Sequence, residues 1–440
     1  MFRSIAAKVS WLLLGFCLAC PAHSQQNDTS RINELEKKLE QSLKTIEQLT
    51  ERVNQLETQR AGDRPVATPA PAATPAPVGE AEQRLSNVER KVTEIAESAG
   101  KSSEDRGIPL HGFADVGAGK VGIGTGANRA NGFTFGALSL YLTPQVGDRI
   151  RTLIELVFEG NEGAVATDLE RAQLGYAFSD AATLWLGRFH TPYGYWNTAY
   201  HHGAQIQTAI LRPRFLDFED KGGILPAHSM GLLLSGNVPT GGGRIVYDAY
   251  LANGSKIDGD VLDLNFTRDD NNNKAIGFNV GYRFGGGLRG LQLGLHGLTE
   301  EVDVYASGAQ LNRSRLNLLG GYGYYEGHDL ELISEYYYFK NKDLSGGTGS
   351  HGSWAGYAQA GYTLLSDWTP YLRLEKTRLD QNDNYFAGQV SGRSYTRYAL
   401  GVRYELNPQS ALKLELNRTR QPDLPGGDYS EALFQYSIRF

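Results

Sequence analysis

Between residue 109 and the last residue, Phe440, the chain repeats one unit sixteen times: a segment in which apolar and polar side chains alternate, then a connection. Extended backbone points successive side chains to opposite faces, so each segment predicts a strand with one greasy and one polar face. The segments fall at 109–118, 131–143, 148–159, 168–178, 182–189, 228–237, 243–254, 274–284, 289–299, 312–325, 329–340, 352–363, 367–378, 394–406, 410–420 and 429–440. Ile276, Phe278, Val280, Tyr282 and Phe284 share one face, with Asn279 and Arg283 opposite. Leu412, Leu414 and Leu416 alternate with Lys413, Glu415 and Asn417. The last segment sets Ala432, Phe434, Tyr436, Ile438 and Phe440 against Glu431, Gln435, Ser437 and Arg439.

The connections alternate as well. After even-numbered segments they are tight, as at Ser179-Asp180-Ala181, Gly285-Gly286-Gly287, Glu326-Gly327-His328 and Asn407-Pro408-Gln409. After odd-numbered ones they are mostly longer and polar: 119–130, 190–227, 255–273, 300–311, 341–351, 379–393 and 421–428. Long loops at one end and short turns at the other predict an all-β fold, a transmembrane antiparallel β-barrel inserted from one side. A soluble sandwich or propeller gives no reason for such one-sidedness. An even strand number closes the sheet, and sixteen fits better than fourteen or eighteen. Negative mean hydropathy is no objection, because lumen residues dilute the lipid-facing ones at every second position. A helical membrane protein is excluded for want of a long apolar run.

The N-terminal quarter reads differently. Arg3 and Lys8 precede the apolar run Trp11 to Ala19 and the small-x-small site Ala22-His23-Ser24, which predicts a signal peptide over 1–24. Both cysteines, Cys17 and Cys20, fall inside it, so the mature chain is expected to hold no thiol, disulfide or Cys-ligated metal. Residues 25–60 read as an α-helical coiled coil: Ile32, Leu35, Leu39, Ser42, Ile46, Leu49, Val53 and Leu56 form a heptad seam. β-Branched residues at a with Leu at d lean towards a dimer, a preference that Ser42 blurs. Residues 61–80 form a Pro/Ala-rich, semi-rigid linker, and 81–107 a shorter coil with Leu85, Val88, Val92 and Ile95, then a polar link. The barrel occupies 108–440, with the stalk expected in the periplasm.

The longest connection, 190–227, opens with His190-Thr191-Pro192-Tyr193-Gly194-Tyr195-Trp196 and carries apolar residues from Ala204 to Arg214. A long, partly apolar loop must bury itself, and the barrel interior is the available place. The constriction-loop candidates are His190, Tyr193, Trp196, Arg212, Arg214, Asp217, Glu219 and Asp220. The barrel region holds 29 Lys and Arg against 34 Asp and Glu, so selectivity would come from placement. Inward-phased basic residues concentrate near the two ends of the barrel region: Arg149, Arg151, Arg171, Arg373, Arg397, Arg403, Lys413 and Arg439. In a closed barrel they would share one wall facing the loop carboxylates. The competing expectation is local pairing, because Glu155, Glu375, Glu405, Glu415 and Glu431 have the same phase.

The heptad stalk, the strand count, the terminal Phe440 and the segment Gly187-Arg188-Phe189-His190-Thr191-Pro192-Tyr193-Gly194 together resemble the phosphate-selective porin superfamily. The stalk adds similarity to coiled-coil-bearing trimeric porins, the DcaP-like dicarboxylate channels and sucrose porins among them. The resemblance implies a homotrimeric porin of the cell outer membrane. Such a porin passes small hydrophilic solutes, anions among them, by diffusion, and presents its terminal strand to the barrel-assembly machinery. Outer-membrane lipid is then a partner, peptidoglycan a further candidate through the stalk. A net charge of −6 gives no case for nucleic acid. Alternatives are an anchor tethering the envelope to the cell wall, or a sugar-selective porin that stacks solutes on Trp185, Tyr193, Tyr195, Trp196 and Tyr200. His190, His201, His202 and His228 crowd the long loop, but with Ser229 they form no nucleophile-elbow sequence, and the adjacent His201 and His202 point apart on an extended chain, so no enzyme, cofactor or metal is expected.

Overall fold

The structure, a computed structural model, describes residues 110–121, 131–161, 164–200 and 202–440. The signal segment, both heptad segments and the Pro/Ala-rich linker lie outside the described residues, as does His201.

Nineteen strands form one sheet. Three are short: Gln145–Val146, and the hairpin Ser255–Asp258 with Val261–Leu264. The other sixteen make the wall of a closed barrel: β1 (Leu110–Val121), β2 (Gly132–Leu142), β3 (Ile150–Asn161), β4 (Ala164–Ser179), β5 (Ala182–His190), β6 (His228–Thr240), β7 (Gly243–Asn253) and β8 (Lys274–Phe284), then β9 (Leu291–Ala306), β10 (Ala309–Gly327), β11 (Leu330–Asp343), β12 (Ser350–Tyr362), β13 (Trp368–Arg378), β14 (Thr396–Asn407), β15 (Ser410–Arg420) and β16 (Tyr429–Arg439). Each pairs antiparallel with the next. The sheet closes where β1 meets β16, with Phe113 opposite Arg439 and Ala118 opposite Phe434. Even the last residue joins this seam: Gly112 N donates to Phe440 O at 2.9 Å and Phe440 N to Gly112 O at 3.0 Å.

Burial is inverted relative to a soluble protein. On β15, Leu414 and Leu416 are 55% and 59% exposed while Lys413 and Glu415 are 1% and 0% exposed. On β8, Ile276, Phe278 and Val280 face outward and Asn279 is buried. Keeping one Leu or Phe in water rather than burying it costs about 1.5–3 kcal/mol. A continuous belt of such residues is stable only against lipid, which closed antiparallel barrels tolerate because every backbone group is paired round the ring.

The wall departs from expectation at one long connection. Residues 300–311 are not a loop: β9 and β10 continue as a paired arm from Glu300 opposite Leu316 to Ala306 opposite Ala309. Ser307 and Gly308, with φ of 52° and 78°, make the two-residue turn that strand twist favours. The acidic Glu300, Glu301 and Asp303 suggested a solvated loop, but Glu300, Val302, Asp303 and Val304 are all buried. The hairpin 255–264 lies beside this arm, Ile257 opposite Val304 in parallel register. Ser255 N donates to Glu300 at 2.7 Å.

Candidate functional site

The connection from β5 to β6, residues 191–227, folds into the lumen. Phe189, Tyr193, Trp196, Phe215, Leu216, Ile224 and Leu225 are no more than 1% exposed and form its core. Irregular backbone buried in this way must find partners for its N–H and C=O groups. Inward-facing side chains of the distant wall supply them.

Glu335 on β11 is the first anchor. It accepts from Tyr195 N at 3.1 Å and Trp196 N at 2.7 Å, at the start of the helical turn Trp196–Ala199. The Tyr337 and Tyr357 hydroxyls complete its shell, each at 2.6 Å. The chain reaches this carboxylate through Gly194 at φ +61°, where a Cβ would collide with Glu335 and Tyr337. Only glycine combines that backbone angle with that approach.

A second set lies on β13 to β15. Arg373 donates to Leu211 O at 2.8 Å and Arg212 O at 3.3 Å, and pairs with Glu375 at 2.9 Å. Glu375 accepts from Arg214 N at 2.8 Å, and Glu415 from Ile210 N at 2.8 Å. Arg403 donates to Gln207 O at 3.1 Å and also to Gln205 O, while Lys413 donates to Ala204 O. The loop is therefore sewn by charge-assisted hydrogen bonds, the stronger kind. Loop 379–395 covers it: Tyr385 donates to Ile224 O at 2.7 Å from a turn capped by Asp383, whose carboxylate accepts from Tyr385 N at 3.0 Å.

The basic residues expected to form one wall thus have separate places. Arg373, Arg403 and Lys413 are clamps on the loop backbone. Arg397 pairs with Glu431 at 2.6 Å and Arg171 with Glu155 at 2.6 Å. Arg439 is exposed and Arg151 half-buried, its guanidinium on Asp148 O at 2.8 Å. Arg149 departs from the phase assigned to it: β3 begins at Ile150, and Arg149 lies in the preceding turn, its guanidinium 3.4 Å from the hydroxyl of Tyr176, an outward-exposed residue. A turn residue is released from the period-two rule that phases a strand.

Of the loop candidates, Tyr193 and Trp196 are core, not solvent-facing stacking platforms. Arg212 donates to Asn197 Oδ1 at 2.8 Å and lies 4.1 Å from the Phe218 ring centroid. Burial lowers its pKa and raises that of Asp217, against the pull between the two. Arg214 spans Tyr395 and Tyr429. Burial pushes Glu219 upward, but the charge of His228 together with the hydrogen bonds the carboxylate accepts outweighs it and leaves Glu219 below the ordinary range. His190 is buried at the loop's root, 3.4 Å from Glu155. The Asp220 side chain lies outside the described atoms. Glu335 was absent from the sequence-predicted set. Its inward phase on β11 was the available signal, but nothing local points to a partner 139 residues away.

Water-accessible cavities lie on both sides of the loop. At the short-turn end, about 660 Å³ is lined by Glu326, Asp329, Glu331 and Glu405 against Arg403 and Arg439. At the long-loop end, about 560 Å³ is lined by Glu159, Asp168, Glu170, Glu219, Asp258 and Asp263 against Arg188 and Lys221. Carboxylates outnumber fixed cations in both.

No family model and no curated protein matches the sequence. Solved structures match in fold. The anion-selective porin from Comamonas acidovorans is 15% identical with TM-score 0.52, covering 76% of this chain and 99% of that one. The outer membrane channel DcaP of Acinetobacter baumannii is 13% identical with TM-score 0.52, covering 76% and 97%. OmpTdeltaL8, a loop-deletion mutant of an outer membrane protein of Vibrio cholerae, is 11% identical with TM-score 0.53, covering 76% and 99%. The chain shares their barrel fold.

Proposed function

We propose that this protein is a passive outer-membrane channel for small hydrophilic solutes, its lumen narrowed by loop 191–227. The observation that carries the reading is the loop itself. It is folded inside an inverted barrel and held by buried charges, with a polar cavity at each end. The fold shared with outer-membrane porins and channels supports it. The stalk with its heptad seam supports self-association, and we read the assembly as a homotrimer with the stalk in the periplasm.

Placement of charge favours cations or neutral solutes over anions. Arg373, Arg403, Lys413, Arg171 and Arg397 are engaged by loop carbonyls or paired carboxylates, and although Arg439 remains exposed, carboxylates outnumber cations in both cavities. The density of the stitching also gives weight to a second reading, a closed barrel that anchors the stalk to the cell wall. Conductance and reversal potential in a planar bilayer under a KCl gradient separate the two. Stepwise conductance with a reversal potential on the cation side is expected. Absence of conductance refutes the channel, and anion preference refutes the charge assignment.

A further inference from the structure

At the root of the loop, three adjacent strands bring metal-ligand side chains into one row. His190 ends β5 and is the direct cross-strand partner of His228, which begins β6. Glu170 on β4 completes the set, and one ligand atom from each lies within 4.8 Å of the others, all three side chains buried. His202, from the loop, places Nε2 3.3 Å from Glu170 Oε1. His228 Nε2 is in direct contact with the other oxygen of Glu170.

We propose that Glu170, His190 and His228 form a binding site for a late first-row divalent metal ion, Zn²⁺ being the best fit. Two imidazoles and one carboxylate, with the fourth position left to water, are a donor set that suits tetrahedral zinc. The imidazole centroids of His190 and His228 are 5.4 Å apart, and two imidazoles bound to one tetrahedral ion stand roughly 5 Å apart. Glu219 supplies the outer partner that metal-bound histidines use. It accepts from His228 N at 2.8 Å and holds His228 Nδ1 at 3.2 Å, which leaves Nε2 directed at the site. The proton shared by His228 Nε2 and Glu170 is the one that a metal ion would displace. A proton bridges only two atoms, whereas a metal ion takes all three donors. Arg188, 3.6 Å away, shares the one carboxylate, so the two nitrogen donors set the preference, which suits imidazole-binding Zn²⁺ over oxygen-seeking cations. Entry is from the long-loop end, where Glu170, His202 and His228 line the cavity. The ion would join three wall strands at the root of the loop. The expectation of no metal rested on His201 and His202 pointing apart; the pairing that sets His190 beside His228 is not evident in the sequence.

The test is equilibrium binding, independent of conductance. Detergent-purified protein is stripped with chelator and titrated with Zn²⁺ by calorimetry, with bound metal counted by mass spectrometry. Co²⁺ then reports ligand geometry by its visible absorption. One ion per chain and a tetrahedral Co²⁺ spectrum are expected. The double variant His190→Gln/His228→Gln should lose that ion, and Glu219→Gln, a positioning change, should weaken it by about 10–100-fold. Heat-modifiable migration in a gel shows which variants retain the barrel. Failure of the stripped wild-type protein to take up Zn²⁺ or Co²⁺, or equal uptake by the folded double variant, overturns the proposal.

Discussion

Replacing Glu335 by Gln isolates what the lumen does to the loop. The substitution keeps the size of the side chain but exchanges an anionic acceptor for an amide with one oxygen. Four donors now converge on the carboxylate: Tyr195 N, Trp196 N and the hydroxyls of Tyr337 and Tyr357. The amide oxygen can satisfy two of them, and its NH₂ group faces the rest. A hydrogen bond to a charged group contributes about 1.5–3 kcal/mol. Losing the charge and two acceptor places therefore costs the loop's attachment about 3 kcal/mol, roughly a hundredfold in its seated-to-released ratio. The β11 ladder to β10 and β12 is untouched, so barrel stability should barely change. Single-channel recording should show added open-channel noise or larger conductance substates, with thermal unfolding near that of the wild type. A trace identical to wild type in a folded Glu335→Gln barrel would show that this carboxylate does not hold the loop.

Three further outcomes are expected. Gly194→Ala should release the same turn, because a residue with Cβ at φ +61° costs about 1 kcal/mol or more before the collision with Glu335 is counted; limited proteolysis within 191–227 should accelerate, and an unchanged rate counts against the fit. Leu414→Arg, on the lipid face of β15, should destabilise insertion by up to about 2–4 kcal/mol if it lies at mid-membrane depth, read as a lower urea midpoint for folding into liposomes. The depressed Glu219 holds stability that is fully present above its ordinary value of 4.5 and is lost as pH falls through its lower folded value, so current noise from the loop's root should rise in acid and Glu219→Gln should remove that rise.

Strand number and phase were legible because a barrel wall writes them locally. Period-two alternation and tight turns are properties of ten or so consecutive residues, and all sixteen wall strands can be read from them. The lumen was half legible. Inward phase identified Arg373, Arg403 and Lys413, but not their partners, because Arg373 meets Leu211 across 162 residues of sequence. Phase also failed in the turn before a strand, as at Arg149, and where a polar run continued as a projecting arm, as at Glu300 to Asp303. The aromatic residues Tyr193 and Trp196 looked like solute platforms because sequence shows ring chemistry and not the walls closing over it. Tyr385 and Phe386 gave no sign of covering the loop, since that contact depends on two loops meeting in space.

The stitching of the loop also fixes an order of events. Most of its anchors lie on β11 to β15, and the sheet is complete only when β16 reaches β1. Loop 191–227 therefore cannot take its seat while the chain is being delivered in sequence; it must wait, with its apolar residues unsheltered, until the C-terminal third arrives. Contacts of such long separation are slow to form. The step that closes the seam is then also the step that moulds the constriction, and a chain halted before β13 would have a nascent wall but no narrowed passage.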